Sequence, residues 1–421
     1  MLPVILMRPY VGIYLWFWIS LMNPHKLTWG FAYDVPFAEY VAIATLLSLL
    51  NKRQVRSIPW DASLVLMFVL FLFTTLSSLF AWSPEVAWGE WEKFFKVLLF
   101  TFLTTMLVSG QERVRVLLLV LALSVAFYGA KGGFFSILTG GQHRVWGPPG
   151  RALLSSNNFL GLAMVMVIPL ILELAKDLEA KWLRNAFYTI AGLTAIAALF
   201  TYSRGALLGL FAVAAVYVIR SKQKPLLLGL FVPVVIVAAI VFVPQQLFDR
   251  AETIETFRQD SSAMQRIRAW QVAIAVALES PITGAGFEFQ DGNEVRWFGY
   301  LPDDENLSRL GGSAHVAHSA YFQVLGQHGF LAFGVFLAML VAAFRHAGYL
   351  RSQCSRDSDA PWIGRYATGI QVGLVGYMVS GAFINVAYFD LLYAYIAAIA
   401  ILHREYRQQC LKLSQLKGSV S

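Results

Sequence analysis

The sequence predicts an all-α polytopic membrane protein with about twelve transmembrane helices and one long outer loop that itself carries helices. Three observations predict it. Hydrophobic residues fill 57% of the 421 positions and charged residues only 14%, whereas soluble domains carry about 25% charged residues. The apolar residues gather into runs of membrane-crossing length, and the mean hydropathy is +0.59. Lys and Arg alternate between rich and poor loops along the chain. This composition excludes a soluble enzyme, a disordered chain and a disulfide scaffold.

A hydrocarbon core of roughly 30 Å needs about 20 apolar residues per helix, fewer where neighbours shield the ends. Twelve runs qualify, near 3–22, 36–50, 62–80, 94–109, 114–138, 157–175, 186–201, 203–219, 225–243, 319–344, 366–384 and 387–402. Backbone polar groups in lipid must pair within the segment, so each run is expected to be helical. The alternation of a membrane β-barrel is absent. No small-residue cleavage site follows the first run, so it is expected to stay as a span rather than leave as a signal peptide.

With the N-terminus inside, the cytoplasmic segments are 51–61, 110–115, 176–185, 220–224, 345–365 and the tail from His403. They hold 19 of the 33 basic residues. The segment 81–93 is expected to be an outer loop, with Glu85, Glu90 and Glu92 against Lys93. The net charge of +8 is thereby a topology signal, and no nucleic-acid motif accompanies it. Both cysteines, Cys354 and Cys410, fall on the inner side, so the outer half is expected to hold together without disulfides. Five regions follow: an N-terminal bundle 1–201, helices 202–243, a long outer loop 244–318, C-terminal helices 319–402 and a tail 403–421.

The chemistry gathers on the outer face. The segment 244–317 contains six Arg, no Lys and eleven acidic residues. Arg without Lys suits planar, bidentate recognition of phosphate or carboxylate. Ser262-Ala-Met-Gln265 fits a capping box, opening a helix that runs to about Glu279. Ile267, Trp270, Ile274 and Ala277 recur at helical spacing, which predicts that this face lies on the bundle. Arg266 and Arg268 sit in its first turn, where free N–H groups and the helix dipole also favour an anion. Gly284-Ala-Gly286 follows Pro281 with no strand before it, which favours a turn between helices over a dinucleotide site.

At the loop's end stand His315 and His318, then Tyr321. A neutral imidazole at the membrane boundary beside cationic Arg can accept a proton from an alcohol. The His315–His318 spacing also suits a metal, but no third ligand stands at a matching spacing, so no metal and no cofactor are expected. His328, ten residues into a span, is expected to pack or cap.

Thr201-Tyr-Ser-Arg204 breaks two apolar runs with almost no loop between them. An Arg at that depth is costly without an anion or a polar cavity, which marks Arg204 as a functional candidate. The segment 139–158 is rich in Gly and Pro, holds Arg144, Arg151 and Asn158, and is expected to fold as an irregular loop at the bundle mouth. Lys131-Gly132-Gly133 is expected to break the end of the fifth span. Several arginines beside one candidate base suit a lipid-borne pyrophosphate.

Ser203-Arg204-Gly205, Arg266-x-x-x-Trp270 leading to Pro281-x-x-Gly284-x-Gly286-x-x-Phe289, and His318-Ser-x-Tyr321 leading to Gly329 resemble the O-antigen ligase and polymerase superfamily (WaaL and the Wzy C-terminal domain) over roughly 200–340. The N-terminal half is similar to the putative O-glycosylation ligases found with exosortase systems. The resemblance implies an inverting, metal-independent glycosyltransferase with a GT-C-type bundle. It implies transfer of polysaccharide from undecaprenyl pyrophosphate to a lipid A–core sugar at the periplasmic face of the bacterial inner membrane. It casts His318 as general base, and Arg204 and Arg266 as the arginines that hold the pyrophosphate. Arg268, Arg144, Arg151, His315, Tyr321 and Asn158 are added as candidate substrate-binding residues. Where the family often has Asn after the histidine, this chain has Ser319.

Two neighbouring activities share these motifs: an O-antigen polymerase, and a protein O-oligosaccharyltransferase that uses Ser or Thr. A multi-span transporter belongs to a different class, but the chain shows no internal repeat and its charges cluster at one face.

Overall fold

The structure is a computed structural model, and it describes residues 2–50, 55–150, 153–220, 261–301, 314–354 and 360–418. Within them all regular structure is helical. The helices are α1 (Leu2–Met7), α2 (Pro9–Met22), α3 (Phe37–Ser48), α4 (Ala62–Leu79), α5 (Pro84–Leu107), α6 (Gln111–Leu138), α7 (Asn157–Ala175), α8 (Lys181–Leu199), α9 (Arg204–Arg220), α10 (Ser261–Glu279), α11 (Glu294–Phe298), α12 (Ala320–Gln353), α13 (Pro361–Ser380) and α14 (Asp390–Gly418). Eleven of the twelve predicted apolar runs lie on these helices; the twelfth, 225–243, lies outside the described residues. Among the described helices, α4, α6, α7 and α12 are long and apolar enough to cross a membrane.

Helix starts follow their local chemistry. The Asp61 carboxylate accepts the Leu64 N–H at 2.9 Å and caps α4. Pro84 opens α5 and Pro361 opens α13, at positions where no backbone donor is needed. The centre of the bundle is α14, whose residues from Leu391 to Leu402 are all fully buried. Its Tyr395 hydroxyl donates to the Met166 carbonyl of α7 at 3.0 Å, and α7, packed on α13, is buried along nearly its whole length.

Three expectations need correction. The segment 81–93 is not a loop: α5 begins at Pro84 and continues to Leu107. Its first turns stay helical through the Glu90–Lys93 and Glu92–Lys96 pairs, both 2.6 Å, and through Trp91, which stacks on Phe95 and donates to Thr75 Oγ1 at 2.8 Å. Gly132 and Gly133 do not break α6, which runs unbroken to Leu138. A side chain at Gly133 would strike the Leu193 carbonyl, so these glycines let α6 and α8 approach closely. The loop helix α10 exists as expected, but its apolar face is rotated. Ala269, Val272, Ala273, Val276 and Ala277 are buried, while Ile274 is 40% exposed. The reason is steric: a Cβ at Gly326 of α12 would lie 3.0 Å from the Ala273 Cβ, leaving no room for a larger residue on that face.

The segment from α10 to α11 forms a small core of its own from Ala269, Val272, Val276, Phe289, Trp297 and Phe298, with Trp82 packed against it. It is joined to α12 where that helix breaks, at Gly329 (φ 79°).

Candidate active site

The break in α12 is matched by the Pro281–Phe289 turn. Ala285 N–H donates to the Gly326 carbonyl at 3.1 Å and Gly286 N–H to the Gln327 carbonyl at 2.8 Å; Phe330 N–H returns to the Pro281 carbonyl at 2.8 Å. Backbone groups freed by the break are thereby satisfied. The approach demands glycine. A Cβ at Gly284 would lie 2.5 Å from the Gln327 carbonyl carbon, and one at Gly329 would lie 2.5 Å from the Pro281 oxygen. The Gly-x-Gly motif is thus a turn packed on a broken helix, as its setting predicted.

His318 sits just before α12 and is fixed on both sides. Trp270 of α10 donates its indole N–H to the Ala317 carbonyl at 2.7 Å and stacks on Phe322 at 4.8 Å between centroids. Ser319 N–H donates to Asn385 Oδ1 at 3.0 Å. Between these anchors His318 takes φ 46°. A left-handed non-glycine residue is costly and persists only where its surroundings impose it, a situation common at functional sites.

His318 opens onto a cavity of about 470 Å³ whose polar wall includes Glu90, Lys93, Asn158, Glu288 and Asn385. Burial, then the Arg266 guanidinium, then His315 lower the proton affinity of the His318 imidazole below the ordinary histidine range. These effects favour the neutral imidazole, the form able to accept a proton. Burial and Arg268 lower His315 in the same sense.

The other predicted residues fall into distinct places. Arg266 neighbours His318 and Arg268 neighbours His315, as these effects require. Asn158 lines the cavity itself. Arg204 is the exposed first residue of α9. The turn before it is tied to the start of α7 by Asn157 Nδ2 donating to the Thr201 carbonyl at 2.8 Å. Gly205, next to Arg204, packs on Phe383 and Ile384, and Ile384 lines the cavity. Arg204 therefore stands beside elements of the cavity rim. Tyr321 donates its hydroxyl to the Met378 carbonyl at 2.7 Å, which joins α12 to α13. His315 meets Trp297 edge to face at 6.0 Å. Arg144 lies exposed with its guanidinium over Trp146, 5.6 Å from the ring centroid, and is not brought to the cavity lining. Arg151 lies outside the described residues. Among the described residues no group of three or more His, Cys, Asp or Glu is placed to hold a metal.

Several lining residues escaped the sequence reading. Lys93 is the one Lys or Arg among the described lining residues, and it pairs with Glu90. Their i, i+3 spacing was visible, but the segment reads as a loop until α5 is seen. Asn385 and Asp390 flank the start of an apolar run and pass for ordinary helix-end polarity. Asp390 accepts a hydrogen bond from Ser20, which binds α14 to α2. Glu288 follows the Gly-x-Gly turn, and nothing in its neighbours announces that it is half-buried against the cavity.

His328 packs as expected. It is fully buried, with Nδ1 against Ser77 Oγ and Nε2 2.6 Å from the Tyr388 hydroxyl.

Residues 189–337 match the family described as O-Antigen ligase (Wzy_C). Residues 1–179 match a family of unknown function, DUF5935. No curated protein matches the chain. The O-antigen ligase match contains Arg204, Arg266, Arg268, Glu288, His315 and His318, whereas Glu90, Lys93 and Asn158 lie in the other match. Residues 189–337 of this multi-pass membrane protein are thus similar to the O-antigen ligase family.

Proposed function

We propose that the chain is an O-antigen ligase of the branch associated with exosortase systems. It is an inverting, metal-independent glycosyltransferase of GT-C type, with its site at the periplasmic face of the inner membrane. It moves polysaccharide from undecaprenyl pyrophosphate to a hydroxyl of a lipid A–core sugar and needs no cofactor. The observation that carries this reading is His318: a neutral imidazole in a constrained backbone, beside Arg266, opening onto a cavity within reach of an O-antigen ligase segment.

The residues then take these roles. The acceptor hydroxyl loses its proton to the free ring nitrogen of His318 as its oxygen attacks the anomeric carbon. The bond from that carbon to the pyrophosphate oxygen breaks, and its electron pair leaves on the phosphate. Arg204 and Arg266 stabilise the growing negative charge, with Arg268 and, further out, Arg144 and Arg151 along the path of the donor. Asn158, His315 and Tyr321 shape the bound sugars or the elements that hold them. Attack opposite the leaving group inverts the anomeric centre.

The test is transfer by the purified chain, given undecaprenyl-pyrophosphate polysaccharide and lipid A–core, with and without EDTA. Ligated product in both conditions is expected, with His318→Ala slower by about 100-fold or more. A rate for His318→Ala equal to wild type overturns the assignment. Lengthened lipid-linked glycan would identify a polymerase, glycan on Ser or Thr of a secreted protein an O-oligosaccharyltransferase, and solute uptake without glycan transfer a transporter.

A further inference from the structure

We infer that Glu288 holds the acceptor sugar, accepting a hydrogen bond from a hydroxyl adjacent to the one that His318 deprotonates. The inference rests on the glycosyltransferase reading above and assigns a substrate contact within it.

Four observations carry it. Glu288 lines the same cavity as His318. Its φ is 44°, in the left-handed region, two residues after Gly286 (φ 89°) and four after Gly284 (φ 60°). A third glycine at this position would relieve the backbone, yet the sequence places a carboxylate there. Of the four left-handed non-glycine residues among those described, two, Glu288 and His318, line this one cavity. Strain gathered on one cavity wall points to a site.

The carboxylate is also oriented in advance. Gln290 Nε2 donates to Oε2 at 2.6 Å and Gln327 Nε2 donates to Oε1 at 3.2 Å. The Gln327 amide is itself set by the Tyr388 hydroxyl, which donates to its Oε1 at 2.7 Å, and Tyr388 is held by His328. Each carboxylate oxygen accepts about two hydrogen bonds, so one position on each remains for a ligand.

The surroundings select the ligand class. Glu90, Glu288 and Asp390 line the same cavity against Lys93, which is already paired with Glu90, so an anionic pyrophosphate is disfavoured there, while Arg266 and Arg204 lie outside the lining. Aromatic walls at Phe94 and Tyr388, amides at Asn158 and Asn385, and a fixed carboxylate suit a neutral sugar ring, whose faces are apolar and whose hydroxyls donate. The donor's phosphates take the arginine side and the acceptor sugar takes the Glu288 side.

The experiment compares wild type, Glu288→Gln and Glu288→Asp in detergent or nanodiscs, varying acceptor at saturating donor and then the reverse. Glu288→Gln is expected to raise the acceptor KM by about tenfold or more. The donor KM should stay within about twofold, and Glu288→Asp should recover part of the loss. An unchanged acceptor KM, or acceptor and donor KM rising together, overturns the inference. Should the Gln variant not fold, Glu288→Asp alone carries the comparison, since withdrawing the charge by one methylene must still weaken acceptor and spare donor. If wild type forms no ligated product, the ligase reading has failed, and direct binding of a soluble core oligosaccharide to wild type and variant decides the Glu288 assignment. Weaker binding to the variant supports it, and equal binding overturns it.

Discussion

At the scale of single residues, the candidate site turns on keeping one imidazole neutral while placing cations near it. Arg266 does both, because the guanidinium that would meet a leaving phosphate also disfavours protonation of His318. A lowered histidine pKa keeps the free base present at lower pH, and activity is lost only as pH falls through that lowered value. Arg266→Gln removes one of the causes, so the His318 pKa rises toward its ordinary value. The acid limb of the kcat/KM profile should then move to higher pH, on top of a slower maximal rate. A slower rate with the limb unmoved would mean that Arg266 acts on the donor alone. The pair Glu288 and His318 shows why composition conceals a site. Neither residue type is unusual, and what distinguishes them is left-handed backbone facing one cavity.

At the scale of elements, the candidate site is held by the clamping together of α10, the Gly-x-Gly turn and the broken α12. Trp270→Phe keeps the ring stack on Phe322 but removes the 2.7 Å bond to the Ala317 carbonyl. The loss is about 1 kcal/mol. Transfer should fall roughly fivefold as His318 loosens, with the protein still folded by size exclusion. Gly329→Ala meets both a left-handed backbone and the Pro281 oxygen. It should cost about 1–3 kcal/mol, read as a lower Tm and less folded protein on extraction. A Tm equal to wild type would show that α12 is not broken at that point. The rotated face of α10 belongs at this scale too. Periodicity announced a helix, but the choice between an Ile-rich and an Ala-rich face was made by its partner, Gly326.

For the whole molecule, the distribution of Lys and Arg predicts that the candidate site and the cysteines lie on opposite sides of the membrane. Cys410 is exposed near the end of α14. A membrane-impermeant maleimide should leave it unlabelled in spheroplasts and label it in inverted vesicles. A cysteine introduced at exposed Val295, on α11, should show the reverse. Labelling of both from one side would overturn the predicted orientation, and with it the idea that a periplasmic polysaccharide reaches His318.

The helical class, the position of eleven apolar runs and the existence of α10 were legible in the sequence because lipid leaves a long apolar segment no alternative to the helix. The O-antigen ligase segment was legible for a different reason: its Arg and His stand at the ends of apolar runs, and its glycines mark a turn where backbones approach closely. What the tertiary structure decided was which of these residues meet. Asn158 lies far from His318 in sequence yet shares its cavity, whereas Arg144, only fourteen positions before Asn158, lies over Trp146 away from the lining. Glu90 and Lys93 came to the site only because α5 runs on past the expected membrane boundary, and Glu288 only because two glycines fold its turn into the gap in α12. Local pattern determines a helix because its hydrogen bonds close within a few residues. A cavity wall is built from side chains on five or more separate elements, and their meeting is settled by packing, which no local stretch of sequence encodes.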